Sequence, residues 1–126
     1  MLFGKIILSF LVIFIFLLPF PVFAQEKINN FEVNVTAHKD GSMTVSESID
    51  YDFGDSDRHG IFRKIPSVSK VGDLFRVIEI EVKDVKRDGE SEEYDVDKLS
   101  KKIEVKIGDP DETITGAHNY IIIYLS

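Results

Sequence analysis

Residues 31–53 read FEVNVTAHKDGSMTVSESIDYDF, a stretch that divides at Asp40-Gly41. Apolar residues occupy every second position of residues 31–37, and alternation resumes at Met43 and continues, after one change of phase, from Glu47. A period of two predicts half-buried β-strands. Asp-Gly between two such runs predicts a hairpin with a tight turn, because both turn positions need positive φ and this pair tolerates it.

Further strands are predicted along the rest of the chain. Residues 77–85 alternate, and Arg87-Asp88-Gly89-Glu90 predicts a turn that leads into a second hairpin at residues 94–96. Residues 102–107 alternate with their charges facing outward, which predicts another half-buried strand. Residues 120–125 are apolar on both faces, which is typical of a central strand covered on two sides.

Two segments lack this pattern. Residues 54–72 are rich in Gly, Asp and Ser and contain Pro66, so we expect a long irregular segment, a kind of loop that is often functional. Residues 98–102 are compatible with one helical turn. With six or seven short strands and no amphipathic helix, the sequence predicts an all-β fold, an antiparallel β-sandwich.

The N-terminus predicts a signal peptide over residues 1–24. One cation, Lys5, precedes an apolar run at residues 6–18, and two prolines then lead to a small-residue cleavage site between Ala24 and Gln25. The alternative is an uncleaved membrane anchor, since the apolar stretch is nearly long enough to span a bilayer. The prolines favour cleavage because each removes a backbone donor and interrupts a helix.

Residues 25–126 are predicted to form one domain that works outside the cytoplasm. They carry 14 Lys or Arg and 22 Asp or Glu, a net charge of −8, which disfavours nucleic acid as a partner. There is no cysteine, so the fold has no disulfide and the chain has no thiolate nucleophile. Because an apolar central strand lies so close to Ser126, we expect the sequence to be truncated and the natural chain to continue.

Several motifs together resemble the N-terminal region of a family of predicted bacterial membrane proteins, the domain of unknown function 2207. The matching residues are Asp40-Gly41-Ser42, Val45, Glu47, Ile49-Asp50-Tyr51-Asp52-Phe53, Arg58-His59-Gly60-Ile61-Phe62-Arg63, Ile107-Gly108-Asp109-Pro110-Asp111 and Thr115-Gly116-Ala117-His118-Asn119-Tyr120. The resemblance implies an extracytoplasmic β-rich domain in the cell envelope, with membrane segments of the same full-length chain as partners. It implies no catalytic residue and no cofactor.

The candidate binding residues are Arg58, His59, Arg63, Asp109 and His118. Arg58, Arg63 and Lys64 place three fixed cations, and His59 one titratable group, within seven residues of an otherwise acidic chain. Guanidinium groups bind carboxylates and phosphates in bidentate fashion. One interpretation is therefore a binding loop for an anionic envelope ligand or a protein partner. The other is structural: at least one arginine pairs with Asp109 or Asp111 and is partly buried, with His59 facing the same junction.

Three functions remain open. The first is a binding or interaction module that is not an enzyme. The second is a metal-dependent hydrolase, in which His59, His118 and Asp109 form a site with two histidines and one carboxylate, although no local His spacing supports it. The third is a purely structural spacer domain.

Overall fold

The computed structural model describes residue 19 and residues 25–126; the predicted signal peptide therefore lies almost wholly outside the described residues. Across residues 25–126 the regular structure is all β, in antiparallel pairs, which confirms the predicted fold class. The strands number ten where six or seven were expected: β1 (Lys27–Ala37), β2 (Met43–Asp52), β3 (Ile61–Pro66), β4 (Val68–Val71), β5 (Leu74–Val77), β6 (Glu81–Arg87), β7 (Glu90–Ser91), β8 (Tyr94–Lys98), β9 (Lys102–Ile107) and β10 (Ala117–Leu125).

The strands form two facing sheets and a separate hairpin. The larger sheet has five strands in the order β1-β2-β10-β6-β7, and the smaller has three in the order β3-β9-β8. β4 and β5 pair only with each other. The buried side chains come from both sheets and form one core between them: Val45, Ile49, Phe53, Ile61, Ile65, Ile80, Val85, Ile103, Val105, Ile107, Tyr120, Ile122 and Tyr124.

The first hairpin is confirmed, but its turn is not the one predicted. β1 and β2 pair from Lys27↔Asp52 to Ala37↔Met43 around a five-residue connection in which Gly41 has a φ of 88°. Two consecutive residues with positive φ occur instead at Asp88 (53°) and Gly89 (84°), which join β6 to β7. Asp40 has a different role, since its carboxylate accepts hydrogen bonds from Ser42 N (3.0 Å) and Ser42 Oγ (2.6 Å).

The predicted change of phase in β2 is wrong. β2 pairs with β10 without interruption, and every second residue from Val45 to Phe53 faces the core. Glu47 occupies one of these inward positions and is 2% exposed. The apparent break in the sequence pattern is therefore a buried carboxylate on a regular strand.

The prediction of a long irregular segment at residues 54–72 is also wrong, because it contains β3 and β4. Ile61 and Ile65 of β3 are buried, but Arg63 occupies the inward position between them and hides the period of two. The predicted strand at residues 77–85 divides into the end of β5 and the start of β6.

The C-terminal strands follow the prediction in part. Residues 102–107 form β9 with Ile103, Val105 and Ile107 buried, as expected. The segment at 94–98 pairs with β9 rather than with β6, and residues 99–101 form the turn of that hairpin in place of the suggested helical turn. β10 is central as predicted, but only its Tyr120 face is buried; on the other face Ile121 is half-buried.

Candidate functional site

The Arg-His-Gly-Ile-Phe-Arg and Ile-Gly-Asp-Pro-Asp motifs meet at one end of the sandwich, through two glycines. Gly60 and Gly108 both have positive φ, 154° and 134°. A Cβ on Gly60 would lie 1.8 Å from the carbonyl oxygen of Ile107, and one on Gly108 would lie 1.9 Å from that of His59. Only glycine fits at either position, because the two backbones are in direct contact.

Arg58 is held at this end by an exposed ion pair. Its Nε donates to Glu26 Oε1 (2.5 Å), and the Tyr51 hydroxyl donates to Glu26 Oε2 (3.0 Å). The hydrogen bond from Arg58 lowers the pKa of Glu26. The main chain of Arg58 forms an isolated bridge with Ile114.

The predicted pairing of an arginine with the Gly-Asp-Pro-Asp segment is wrong. Arg58 pairs with Glu26, and Arg63 pairs with Glu47. Asp109 instead accepts a hydrogen bond from the backbone N of Asp111 (2.8 Å) and so shapes its own turn. An aspartate followed by proline commonly has this local role.

His59 does face the junction, as expected. Its Nδ1 lies 2.7 Å from the carbonyl oxygen of Glu112, which can only accept, so Nδ1 carries the proton. His59 therefore ties the two motif segments together. The side chain as a whole is exposed.

His118 is separate from His59 in its contacts. Its Nδ1 lies 2.7 Å from Asp88 Oδ2 and its Nε2 lies 2.8 Å from the carbonyl oxygen of Thr115. The hydrogen bond from His118 lowers the pKa of Asp88. Both ring nitrogens are thus occupied by acceptors in the protein.

The structure does not assemble the suggested metal centre. Among the described residues, no group of three or more His, Cys, Asp or Glu side chains could hold a metal ion. His118 bonds to Asp88 and Thr115, and Asp109 bonds within its own turn. The arrangement of these side chains gives the hydrolase hypothesis no support.

The most buried charge of the described domain lies at Glu47, a residue that belongs to the family resemblance but received no predicted role. Arg63 binds it through two hydrogen bonds, from Nε to Oε2 (2.6 Å) and from Nη2 to Oε1 (2.8 Å). The Tyr124 hydroxyl also donates to Oε1 (2.9 Å). Burial is the main cause of the raised pKa of Tyr124, and the hydrogen bond to Glu47 raises that pKa further. The hydrogen bonds to Glu47 raise the pKa of Arg63.

Arg63 also closes one side of an open groove. Its Cζ lies 5.4 Å from the centre of the Phe31 ring on β1, within the range of a cation–π contact. Its Nη1 donates to the carbonyl oxygen of Lys64, at the side of β3 that has no neighbouring strand. The buried ion pair therefore fixes β3 against β1 and β2 at the rim of the sandwich.

The groove exists because the larger sheet is wider than the smaller one. The residues of β1 that face the same way as the core side chains of β2 are apolar, yet they are 45–57% exposed: Ile28, Phe31, Val33 and Val35. We call these four residues the β1 strip. In the smaller sheet, β3 is an edge strand, so no fourth strand covers the strip.

Two cavities follow this open side. One of about 420 Å³ is lined by Ile28, Phe31, Ile49, Tyr51, Ile61, Phe62, Arg63 and Lys64. The next, of about 360 Å³, is lined by Glu26, Tyr51, Phe53, Arg58, Gly60, Ile61 and Phe62. They share Tyr51, Ile61 and Phe62, so together they form one groove between β1 and β3, and we use the name β1–β3 groove for it. Of the predicted site residues, this groove includes Arg58 and Arg63.

The sequence carried one sign of this site that the predictions did not use. Glu47 stands at an apolar position of an alternating strand, and Arg63 stands between two buried isoleucines. A carboxylate and a guanidinium at inward positions of two strands predict a buried pair, because neither is buried alone. The β1 strip carried no comparable sign.

The fold and the groove define an all-β sandwich domain with one open apolar side. A family model described as the predicted membrane protein (DUF2207) N-terminal domain matches residues 27–125, and the chain belongs to this family. No curated protein and no solved structure matches the chain. Within the described residues, no helix is long and apolar enough to cross a membrane.

Proposed function

We propose that this domain is the extracytoplasmic interaction module of a membrane protein, and that it binds a polypeptide segment in extended conformation. The segment would occupy the β1–β3 groove and carry apolar side chains at alternate positions. The family consists of predicted membrane proteins, which supports the first part of this proposal. Export is supported by the predicted signal peptide at residues 1–24.

The observation that carries the proposal is the place left for one more strand in the smaller sheet. β3 pairs with β9 on one side only, so its other edge offers backbone donors and acceptors to an added strand, apart from the Lys64 carbonyl, which already accepts from Arg63. A strand there would lie over the β1 strip and shield it from water. Its inward side chains would have to be apolar, because those of the β1 strip are apolar, and its outward side chains would face solvent.

The charges around the groove favour this occupant over an anionic ligand. Each cation that lines the groove already has a carboxylate partner: Arg58 has Glu26, Arg63 has Glu47, and Lys64 has Glu104 at 3.7 Å. A phosphate or carboxylate ligand would have to displace these partners. An apolar segment needs no unpaired charge and gains from covering exposed apolar surface.

Cross-linking in cells tests the proposal. The photoreactive residue benzoylphenylalanine replaces Phe62, which is 62% exposed and lines both cavities, in the full-length protein. The matched control replaces Phe75 on β5, which is 69% exposed and lies outside the groove. We expect the residue-62 probe to attach to one defined polypeptide segment with alternating apolar residues.

Two variants sharpen the result. Ile28→Ser removes an apolar side chain from the β1 strip, whereas Asn30→Ser changes the polar face of the same strand. Cross-linking at residue 62 should fall in the first and persist in the second. If probe 62 forms no polypeptide adduct, or forms the same adducts as probe 75, the proposal is overturned and the spacer interpretation is favoured.

A further inference from the structure

The three most exposed large apolar side chains of the described residues, Leu74, Phe75 and Val77, all lie in the β4–β5 hairpin. Val71, Leu74, Phe75 and Val77 are 62–77% exposed. The two strands pair only with each other, joined at Gly72-Asp73, and an isolated two-stranded hairpin is at best marginally stable in water. These side chains therefore need a partner outside the sandwich.

The distribution of these residues over the hairpin indicates what the partner is. The register pairs Val68 with Val77 and Val71 with Leu74. Directly paired residues share a face, so Phe75 and Val77 lie on one face while Val71 and Leu74 lie on the other. Docking on a protein surface needs one apolar face, whereas immersion among lipid chains favours apolar residues on both faces.

The hairpin belongs to the cationic end of an acidic domain. Ser67 N donates to the carbonyl oxygen of Lys101 (2.9 Å), which ties the base of the hairpin to the β8–β9 turn. β2 and β6 begin at the same end, since Leu125 pairs with both Thr44 and Glu81. We define the hairpin end as residues 38–42, 67–80 and 98–102.

The two ends differ strongly in charge. The hairpin end carries six Lys or Arg and three Asp or Glu, a net charge of +3, although residues 25–126 together carry −8. The opposite end, residues 53–60, 88–93 and 108–116, carries nine Asp or Glu and one Arg, a net charge of −8. Near an anionic surface this distribution turns the hairpin end toward the surface and the acidic end away from it.

We propose that the β4–β5 hairpin inserts into the interfacial layer of a lipid bilayer that contains anionic lipids. Its apolar side chains enter the boundary between head groups and acyl chains, and Lys70 and Arg76 bind head-group phosphates. Asp73 lies at the turn between these cations and keeps the insertion shallow. Membership of a membrane-protein family supports a position beside such a surface. This inference does not depend on the β1–β3 groove.

Single-tryptophan fluorescence provides the test. The chain has no tryptophan, so Phe75→Trp gives residues 25–126 one fluorophore at the hairpin, and Phe62→Trp gives the matched control in the groove. Residues 25–126 contain the whole described core, which makes this part suitable for the measurement. The probe surface is a vesicle of equal parts phosphatidylcholine and phosphatidylglycerol, with pure phosphatidylcholine vesicles as the second arm.

We expect the emission of the tryptophan at position 75 to shift to shorter wavelength with the anionic vesicles and to be quenched by brominated acyl chains, while position 62 changes little. Lys70→Gln with Arg76→Gln should weaken binding roughly 10-fold or more. Lys83→Gln with Lys86→Gln removes the same charge from β6, outside the residues of the hairpin end, and should weaken binding far less.

Three outcomes would overturn the proposal. One is equal behaviour of positions 75 and 62. Another is a concentration-dependent blue shift at position 75 without vesicles, which would assign the hairpin to contact with a second copy. The third is full binding after both hairpin cations are neutralised. In the cross-linking experiment, the probe at residue 75 should attach to lipid, whereas the probe at residue 62 should attach to a polypeptide. Failure of this proposal and failure of the groove proposal are therefore distinguishable.

Discussion

At the scale of single residues, the pair of Glu47 and Arg63 shows how a charge is kept inside this domain. Glu47 is 2% exposed and accepts three hydrogen bonds, two from Arg63 and one from Tyr124. A buried ion pair contributes little net stability, because desolvation offsets the attraction between the charges. Its effect here is positional, since it sets β3 against β2 at the rim of the groove.

Removing one partner should therefore be costly. Arg63→Met leaves the Glu47 carboxylate buried and unpaired, and we expect the free energy of unfolding to fall by about 3 to 5 kcal/mol. The matched control is Arg58→Met, which breaks the exposed pair with Glu26 and should cost much less, because solvent screens that pair. Urea unfolding of residues 25–126 at neutral pH measures both.

A double variant checks the reason for the loss. Glu47→Gln combined with Arg63→Met leaves no stranded charge, and the new side-chain amide oxygen at position 47 can still accept from Tyr124. The double variant should be more stable than Arg63→Met alone. Equal losses for the two single arginine variants would show that Glu47 is not held as a buried charge.

At the scale of strands and turns, the sequence predicted the elements whose inward positions are apolar or, in β2, apolar apart from Glu47. The β1–β2 hairpin, β9 and the central position of β10 follow directly from alternation and apolar runs. β3 could not be found in this way, because Arg63 interrupts its buried face and Pro66 resembles a breaker. In a strand of six residues, one charge at an inward position is enough to hide the period of two.

The candidate groove was even less accessible to sequence reasoning. Alternation in β1 predicts that one face is covered, but it does not say whether the opposite sheet extends far enough to cover it. Exposure of Phe31 is a property of the smaller sheet, which ends at β3. The residues that build the groove were thus visible in the sequence, whereas the missing strand opposite them was not.

The contact of the two motif turns gives a prediction at the same scale. Gly41 and Gly60 both have positive φ, but a Cβ on Gly41 meets nothing within 4 Å, whereas one on Gly60 would overlap the Ile107 carbonyl. Gly41→Ala should cost about 1 to 2 kcal/mol for its backbone conformation alone. Gly60→Ala should cost on the order of 4 kcal/mol or more, because the backbones must also separate.

Unfolding free energies of the two variants measure the difference directly. If Gly60→Ala proves too unstable to purify, its soluble yield relative to Gly41→Ala gives the same ranking. Similar stabilities of the two variants would contradict the close approach of residues 60 and 108.

At the scale of the whole molecule, the separation of charge is the feature that links fold and location. Antiparallel topology collects alternate connections at opposite ends of the sandwich, and here the two sets of connections differ in sign. The acidic end is held together by Gly60 and Gly108, by His59 with Glu112, and by His118 with Asp88. Local packing there outweighs the repulsion among its carboxylates.

That repulsion should be measurable with a matched pair of substitutions. Asp111→Asn removes one exposed negative charge from the acidic end, and Asp73→Asn makes the same change at the hairpin end between Lys70 and Arg76. At low ionic strength we expect Asp111→Asn to raise the melting temperature of residues 25–126, which corresponds to a gain in stability of up to about 0.5 kcal/mol. Asp73→Asn should leave the melting temperature unchanged or lower it.

Salt screens exposed charges over about 10 Å at 0.1 M, so added sodium chloride should stabilise the wild type and reduce the advantage of Asp111→Asn. Thermal unfolding of the three proteins across a salt series tests this. If both substitutions shift the melting temperature equally at low salt, net charge alone is responsible, and the two ends of the domain are not electrostatically distinct.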